Sequence, residues 1–166
     1  MVGRRQAVDR LLEAGGDRVA LYGVENDLGV PVYVHAKVCV VDDAWASVGS
    51  ANLNLRSWTH DSEVTAAVAD VDFASELRRM LAREHLDSDD DGGLGLDEVF
   101  ETFGRSAARL QGWYDGHRRG PRPPGRLRPL QVPTLSGTDE LWARPVYRMV
   151  YDPDGRPPHL TRRRSF

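Results

Sequence analysis

From Val32 to Val40 the chain alternates without a break, with Val32, Val34, Ala36, Val38 and Val40 on one set of positions and Tyr33, His35, Lys37 and Cys39 on the other. A period of two marks a β-strand, in which successive side chains point to opposite faces. One face of this strand is wholly aliphatic, so a fold that contains it must provide neighbouring strands and a cover. His35 and Lys37 then project together from the other face, two residues apart.

The remaining sequence reads as that sheet and its cover. Residues 4–14 predict an amphipathic helix stopped by Gly15 and Gly16, and residues 18–24, RVALYGV, a buried strand. Residues 25–29 form a loop into the 32–40 strand, 44–48 return as a hairpin partner, and 64–68 make a further apolar strand. Apolar residues at 73, 77, 80, 81 and 86 predict a helix over 73–86. Leu96, Val99, Phe100, Phe103, Ala107, Leu110 and Trp113 predict another over 96–114. The expected fold class is α/β, a mixed β-sheet flanked by helices, occupying residues 1–115. Residues 116–133, GHRRGPRPPGRLRPLQVP, read as a Pro/Gly/Arg linker with little capacity for regular structure. Trp142 to Tyr151 has enough apolar surface to dock back onto the domain, and 160–166 reads as a disordered basic tail. Residues 116–166 are thus a Pro/Arg-rich C-terminal extension.

The chemistry concentrates around the first strand. An imidazole attacks phosphorus or protonates a leaving oxygen near neutral pH, and an ammonium beside it stabilises the charge of a transferring phosphoryl group. A phosphodiester suits the His35 and Lys37 pair. Gly49-Ser50-Ala51-Asn52 follows the return strand, and a small turn there brings the Ser50 hydroxyl and the Asn52 amide towards the same phosphate oxygens, with Gly49 permitting close backbone approach.

His35, Lys37, Asp42, Gly49, Ser50 and Asn52 form the pattern H-x-K-x4-D-x6-G-S-x-N, which resembles the HKD motif of the phospholipase D superfamily. The run of Asn54, Arg56, Ser57 and Asp61-Ser62-Glu63 is similar to the one after the second HKD motif of phospholipases D, more than to its equivalent in the small nucleases. The resemblance implies a phospholipase D-like half-unit. By it, Glu63 matches the acidic residue that holds the catalytic histidine through its other ring nitrogen, fixing the tautomer and stabilising the imidazolium. Asp42 belongs to the motif, but five residues beyond Lys37 on a strand it lies about 16 Å away at about 3.3 Å per residue, so its part is structural support.

The family's site uses two HKD motifs, one histidine becoming phosphorylated and the other protonating the leaving alcohol and then activating water. This sequence has one, since His60, His85, His117 and His159 lack an H-x-K partner. The 34 residues ahead of His35 have room for one helix and one strand. The resemblance therefore implies the C-terminal half of a two-motif phospholipase D, with His35 as general acid/base and Lys37, Ser50 and Asn52 binding phosphate. The second motif would come from another half, or from a homodimer in which His35 serves both roles. Lysine, serine and asparagine supply the charge stabilisation, so the implied chemistry uses no metal and no cofactor. The implied reaction is hydrolysis of a phosphatidyl lipid such as phosphatidylcholine to phosphatidate and free alcohol at a membrane surface. Its alternatives are phosphatidyl transfer as in cardiolipin synthase, nuclease action on nucleic acid, or an inactive lipid-binding fragment.

Charge divides the chain. Residues 61–101 carry 13 acidic and 3 basic side chains, and residues 104–166 carry 13 basic and 5 acidic, so the C-terminal part is the basic surface, fit for anionic lipid or nucleic acid. No apolar run approaches the length of a membrane span, and the first residues lack the apolar region of a secretory signal, so a cytoplasmic or membrane-peripheral location is expected. The lone Cys39 forms no internal disulfide and is expected as a small buried hydrophobe. Asp87, Asp89, Asp91, Gly92, Leu94 and Glu98 match an EF-hand loop between two helices, but there is no second hand, and an acidic solvated loop explains the same residues.

Overall fold

The computed structural model describes residues 2–89, 93–131 and Tyr147. The segments 142–151 and 160–166, expected to dock and to trail, lie outside the described residues, Tyr147 excepted. The chain divides into two compact units, Met1–Val19, Gly49–Thr65 and Val132–Phe166 in the first, and Ala20–Val48 and Ala66–Gln131 in the second.

In the first unit α1 spans Val2–Gly15, one turn of 3-10 helix spans Gly16–Arg18, and α2 spans Leu55–Thr59. Arg5 and Asp9, one turn apart on α1, pair at 3.5 Å. The short α2 forms because Asn54, in extended conformation ahead of it, accepts the Ser57 amide on its side chain at 2.8 Å.

In the second unit β1 spans Tyr22–Val24, β2 Lys37–Val41, β3 Trp45–Gly49, β4 Thr65–Val68 and β5 Leu127–Pro129; the end residues Gly49 and Thr65 belong to the first unit. β2, β3 and β4 form a three-stranded sheet in that order. β2 and β3 are joined by Asp42 and Asp43, both at positive φ (51° and 52°), with the Ala44 amide donating to the Val41 carbonyl at 3.0 Å. Two left-handed central residues give a type I′ turn, the one whose twist matches a hairpin, and aspartate tolerates it better than most side chains.

The helix α3, Val71–Leu86, starts where the Asp70 side chain accepts the Phe73 amide, ends on left-handed Asp87, and packs against β2. Ala46, Ala74 and Ala82 are buried. Arg78 of α3 grips both oxygens of Asp43 at 2.7 and 2.8 Å, tying the hairpin turn to the helix. The hydrogen bond from Arg78 is the main force that lowers the Asp43 pKa, so the carboxylate contributes stability above its unfolded pKa and loses it as pH falls through the folded one. Asp43→Asn is therefore expected to cost about 1–2 kcal/mol at pH 7. In urea titrations its deficit against the natural chain should shrink below the ordinary carboxylate range, near pH 4.

α4, Leu96–Asp115, opens with the Glu98 carboxylate accepting the Gly95 amide at 2.9 Å, and buries Ser106, Ala107 and Leu110. It packs on α3 and on β5, which pairs antiparallel with β1 through Tyr22 and Pro129, Gly23 and Arg128, and Val24 and Leu127. Residues 116–131 are thus not the featureless linker their composition suggests. Three of their arginines are held by acidic groups distant in sequence. Buried Glu25 accepts Tyr114 Oη at 3.0 Å and Arg122 Nη2 at 3.1 Å on one oxygen, and Arg128 Nη1 at 3.4 Å on the other. Arg126 reaches Asp87 at 3.1 Å and Asp27 at 3.7 Å. Pro and Gly rule out a long helix here, but no local pattern announces a carboxylate some hundred residues upstream.

The two strands expected around the motif are shorter than their patterns. β1 begins at Tyr22 and β2 at Lys37, leaving 32–36 outside any described strand. Val32 and Val34 are 46% and 55% exposed, and Cys39, expected to be buried, is exposed. The alternation is a strand pattern, but ahead of β2, among residues 32–36, only Val32 makes a backbone bond sideways, donating its amide to the Val24 carbonyl at 2.8 Å. A periodic apolar face is buried only where something covers it.

Candidate active site

His35 and Lys37 lie in the second unit at the entry to β2. His35 is exposed and its ring stacks on Tyr33 with centroids 5.9 Å apart. Lys37 is the first residue of the strand, half-buried, and its ammonium donates to the His35 carbonyl at 2.8 Å. The two residues are therefore brought together, although the strand meant to align them starts at the lysine. Asp42 is at the opposite end of β2, exposed in the hairpin turn. Its neighbour Asp43, which the motif does not single out, has the structural partner.

Ser50, Asn52 and Glu63 lie in the first unit. A Cβ at Gly49 would run into the Val64 carbonyl and Thr65, so only glycine lets the chain pass there. Beyond it the Ser50 amide donates to the Val64 carbonyl at 2.9 Å and the Val64 amide returns to Ser50 Oγ at 3.0 Å. Ser50 Oγ donates to Glu63 Oε2 at 2.5 Å, which joins the expected phosphate binder to the expected histidine partner. In this arrangement the hydroxyl proton points at the carboxylate.

Asn52 is exposed, with its backbone N–H donating to Ser57 Oγ at 3.1 Å. Ser57 is buried at 7% exposure and is itself held by Asn54, so the α2 cap and the position of Asn52 are one construction. Arg56 Nε donates to both oxygens of Asp61 at 2.9 and 2.8 Å, closing the stretch that leads to Glu63. Asn54, Ser57, Arg56 and Asp61 were legible as part of a similar run but not as supports. The available signal was the cap spacing, Asn followed by Ser at the third position.

Among the described residues no group of three or more His, Cys, Asp or Glu side chains is arranged to hold a metal ion. In the EF-hand-like stretch Asp87 is engaged by Arg126 and Glu98 by the Gly95 amide, while Asp91 and Gly92 lie outside the described residues.

Residues 4–84, which contain His35, Lys37, Asp42, Ser50, Asn52 and Glu63, match the family described as "Cardiolipin synthase, PLD-like domain". This part of the chain belongs to the phospholipase D superfamily. Among curated proteins, Phospholipase D1 of Saccharomyces cerevisiae is 38% identical over 95 residues, covering 47% of this chain and 6% of its own length. Cardiolipin synthase 1 of Staphylococcus aureus is 40% identical over 75 residues, 45% of this chain and 13% of that protein. Cardiolipin synthase A of Pseudomonas putida is 41% identical over 54 residues, 32% of this chain and 11% of the synthase. The chain thus spans a small fraction of these relatives. No solved structure matches it significantly. The mixed α/β architecture is that of a phospholipase D-like half-unit, and the superfamily is one of phosphodiesterases and transferases.

Proposed function

We propose that the chain supplies one half of a phospholipase D-type active site that cleaves the distal phosphodiester of a phosphatidyl lipid such as phosphatidylcholine, giving phosphatidate and free alcohol. The observation that carries this reading is the six-residue pattern of His35, Lys37, Asp42, Gly49, Ser50 and Asn52 inside the matched segment. A histidine of a second HKD motif attacks phosphorus and the bond to the alcohol breaks. His35, as imidazolium, gives its proton to the leaving oxygen. The neutral imidazole of His35 then takes a proton from water as that water attacks the phosphohistidine, which regenerates both groups. Lys37, Ser50 and Asn52 hold the non-bridging oxygens, and Glu63 steadies His35 through its second ring nitrogen. A bound phosphate competes with Glu63 for the Ser50 proton, since one hydroxyl hydrogen serves one acceptor at a time. Asp42 acts through the hairpin turn rather than on substrate.

The second motif comes from a separate half or from another copy of the chain. The exposed Val32 and Val34 beside His35 support this, because they offer an aliphatic edge where such a half would pack. Phosphatidyl transfer is the second reading, favoured by the cardiolipin synthases among the relatives. Products formed from phosphatidylcholine vesicles in the presence of glycerol test the choice. Choline with phosphatidate means hydrolysis, and choline with phosphatidylglycerol means transfer. Cleavage of DNA that lipid does not inhibit would refute both.

A further inference from the structure

The loop between β1 and the motif is closed by its own hydrogen bonds and has an aliphatic tip. The Asn26 amide donates to the Val30 carbonyl and the Gly29 amide to the Asn26 carbonyl, both at 2.9 Å, and Asn26 Oδ1 accepts the amides of Leu28 and Val30 at 3.0 and 2.9 Å. Gly29 has φ +76°, and the Tyr114 hydroxyl fills the space where a Cβ would stand. On this frame Leu28 is 87% exposed and Val30 54%. A tip whose amides are bonded within the loop enters a medium of low dielectric without stranding those donors.

Cations stand beside it. The Arg118 guanidinium lies 4.8 Å from the centre of the same Tyr114 ring that underlies Gly29. Arg118 and its neighbour Arg119 are exposed, and neither meets a carboxylate among the described residues. Of the nearby acids, Asp27 lies 3.7 Å from Arg126 and Glu25 is buried among arginines, while Asp115 accepts the neutral Gln111 Nε2 at 2.8 Å and keeps its charge. All of these groups belong to the second unit.

We infer that Leu28 and Val30, with Arg118 and Arg119, form the surface by which the protein seats itself on a bilayer containing anionic phospholipid. The inference rests on the reading of the chain as lipid-cleaving. The aliphatic tip enters between head groups while the guanidiniums meet lipid phosphates, the combination of apolar burial and surface charge that interfacial proteins use. A protein groove would take Leu28 without calling for two unneutralised cations next to it.

Co-sedimentation of the full chain with sucrose-loaded vesicles, of phosphatidylcholine alone or mixed with phosphatidylglycerol, tests this. Binding of the natural chain to the mixed vesicles should fall about tenfold or more in Leu28→Ser. It should fall about fivefold for each of Arg118→Gln and Arg119→Gln, with little change on phosphatidylcholine alone. Vesicle binding equal in all variants, or no binding by the natural chain, overturns the inference. So does a Leu28→Ser variant that changes self-association in ultracentrifugation but not vesicle binding, since the tip would then be a protein interface. Hydrolysis of dispersed dibutyryl phosphatidylcholine separates this result from the function. With a separately produced N-terminal HKD half present, turnover without vesicle binding defeats the docking surface alone, and the expected pattern of vesicle binding without turnover defeats the enzymatic reading alone.

Discussion

The Glu25→Ala protein is expected to lose about 3–5 kcal/mol of stability, because it strands the buried ends of two arginines. Glu25 is 4% exposed, while Arg122 and Arg128 show only 18% and 27% of their side chains to solvent. Removing the carboxylate leaves two guanidiniums in a poorly hydrated site, each with one acceptor fewer, and takes the partner of the Tyr114 hydroxyl as well. Gln111 Oε1 still accepts from Arg128 at 2.7 Å, which places the loss inside the range rather than above it. A deficit of this size is a large part of the stability of an ordinary domain. Urea unfolding followed by tryptophan fluorescence measures it, with Arg119→Ala as a control expected within about 0.5 kcal/mol of the natural chain. A Glu25→Ala deficit below about 1 kcal/mol would mean that residues 116–131 are a solvated linker after all.

His35→Asn is expected to lower phosphodiester turnover about 100- to 10,000-fold in whatever assembly completes the site, the range that a positioned general acid and base contributes. Asparagine occupies similar space and still hydrogen-bonds, but cannot carry a proton from the enzyme to a leaving alkoxide. Because His35 is exposed and its ring touches only Tyr33 among the described contacts, unfolding of this variant should match the natural chain within about 0.5 kcal/mol. Loss of activity without loss of stability assigns the histidine to chemistry. Equal turnover would remove it from the mechanism.

The periodic elements were readable from the sequence because their signals are local. α3 and α4 begin and end within two residues of their apolar spacing, and the β2 to β3 hairpin follows from two runs flanking Asp42 and Asp43. The HKD pattern was equally legible, since it is a fixed spacing of rare side chains. Less legible was everything decided by distant partners. Val32 and Val34 carry a strand's alternation, yet burial depends on a neighbour that no window of sequence contains. The arginines of 116–131 read as an unstructured basic linker fit for anionic lipid or nucleic acid because Glu25 lies far upstream, and Cys39 reads as buried among valines where the sheet leaves its face open. The link from Ser50 to Glu63 was hidden for a different reason. Each residue already had a separate role by analogy, and only the backbone path through Val64 shows them to be neighbours.

Choline release from phosphatidylcholine vesicles, measured across a range of concentrations of the chain, with and without a separately produced N-terminal HKD half, tests the half-site reading most directly. Turnover per chain should rise with the concentration of whichever molecule supplies the second motif, and should disappear in His35→Asn. Turnover that stays constant per chain for a species shown to be monomeric by sedimentation, or that survives His35→Asn, would contradict it. Absence of release under every condition would contradict it as well.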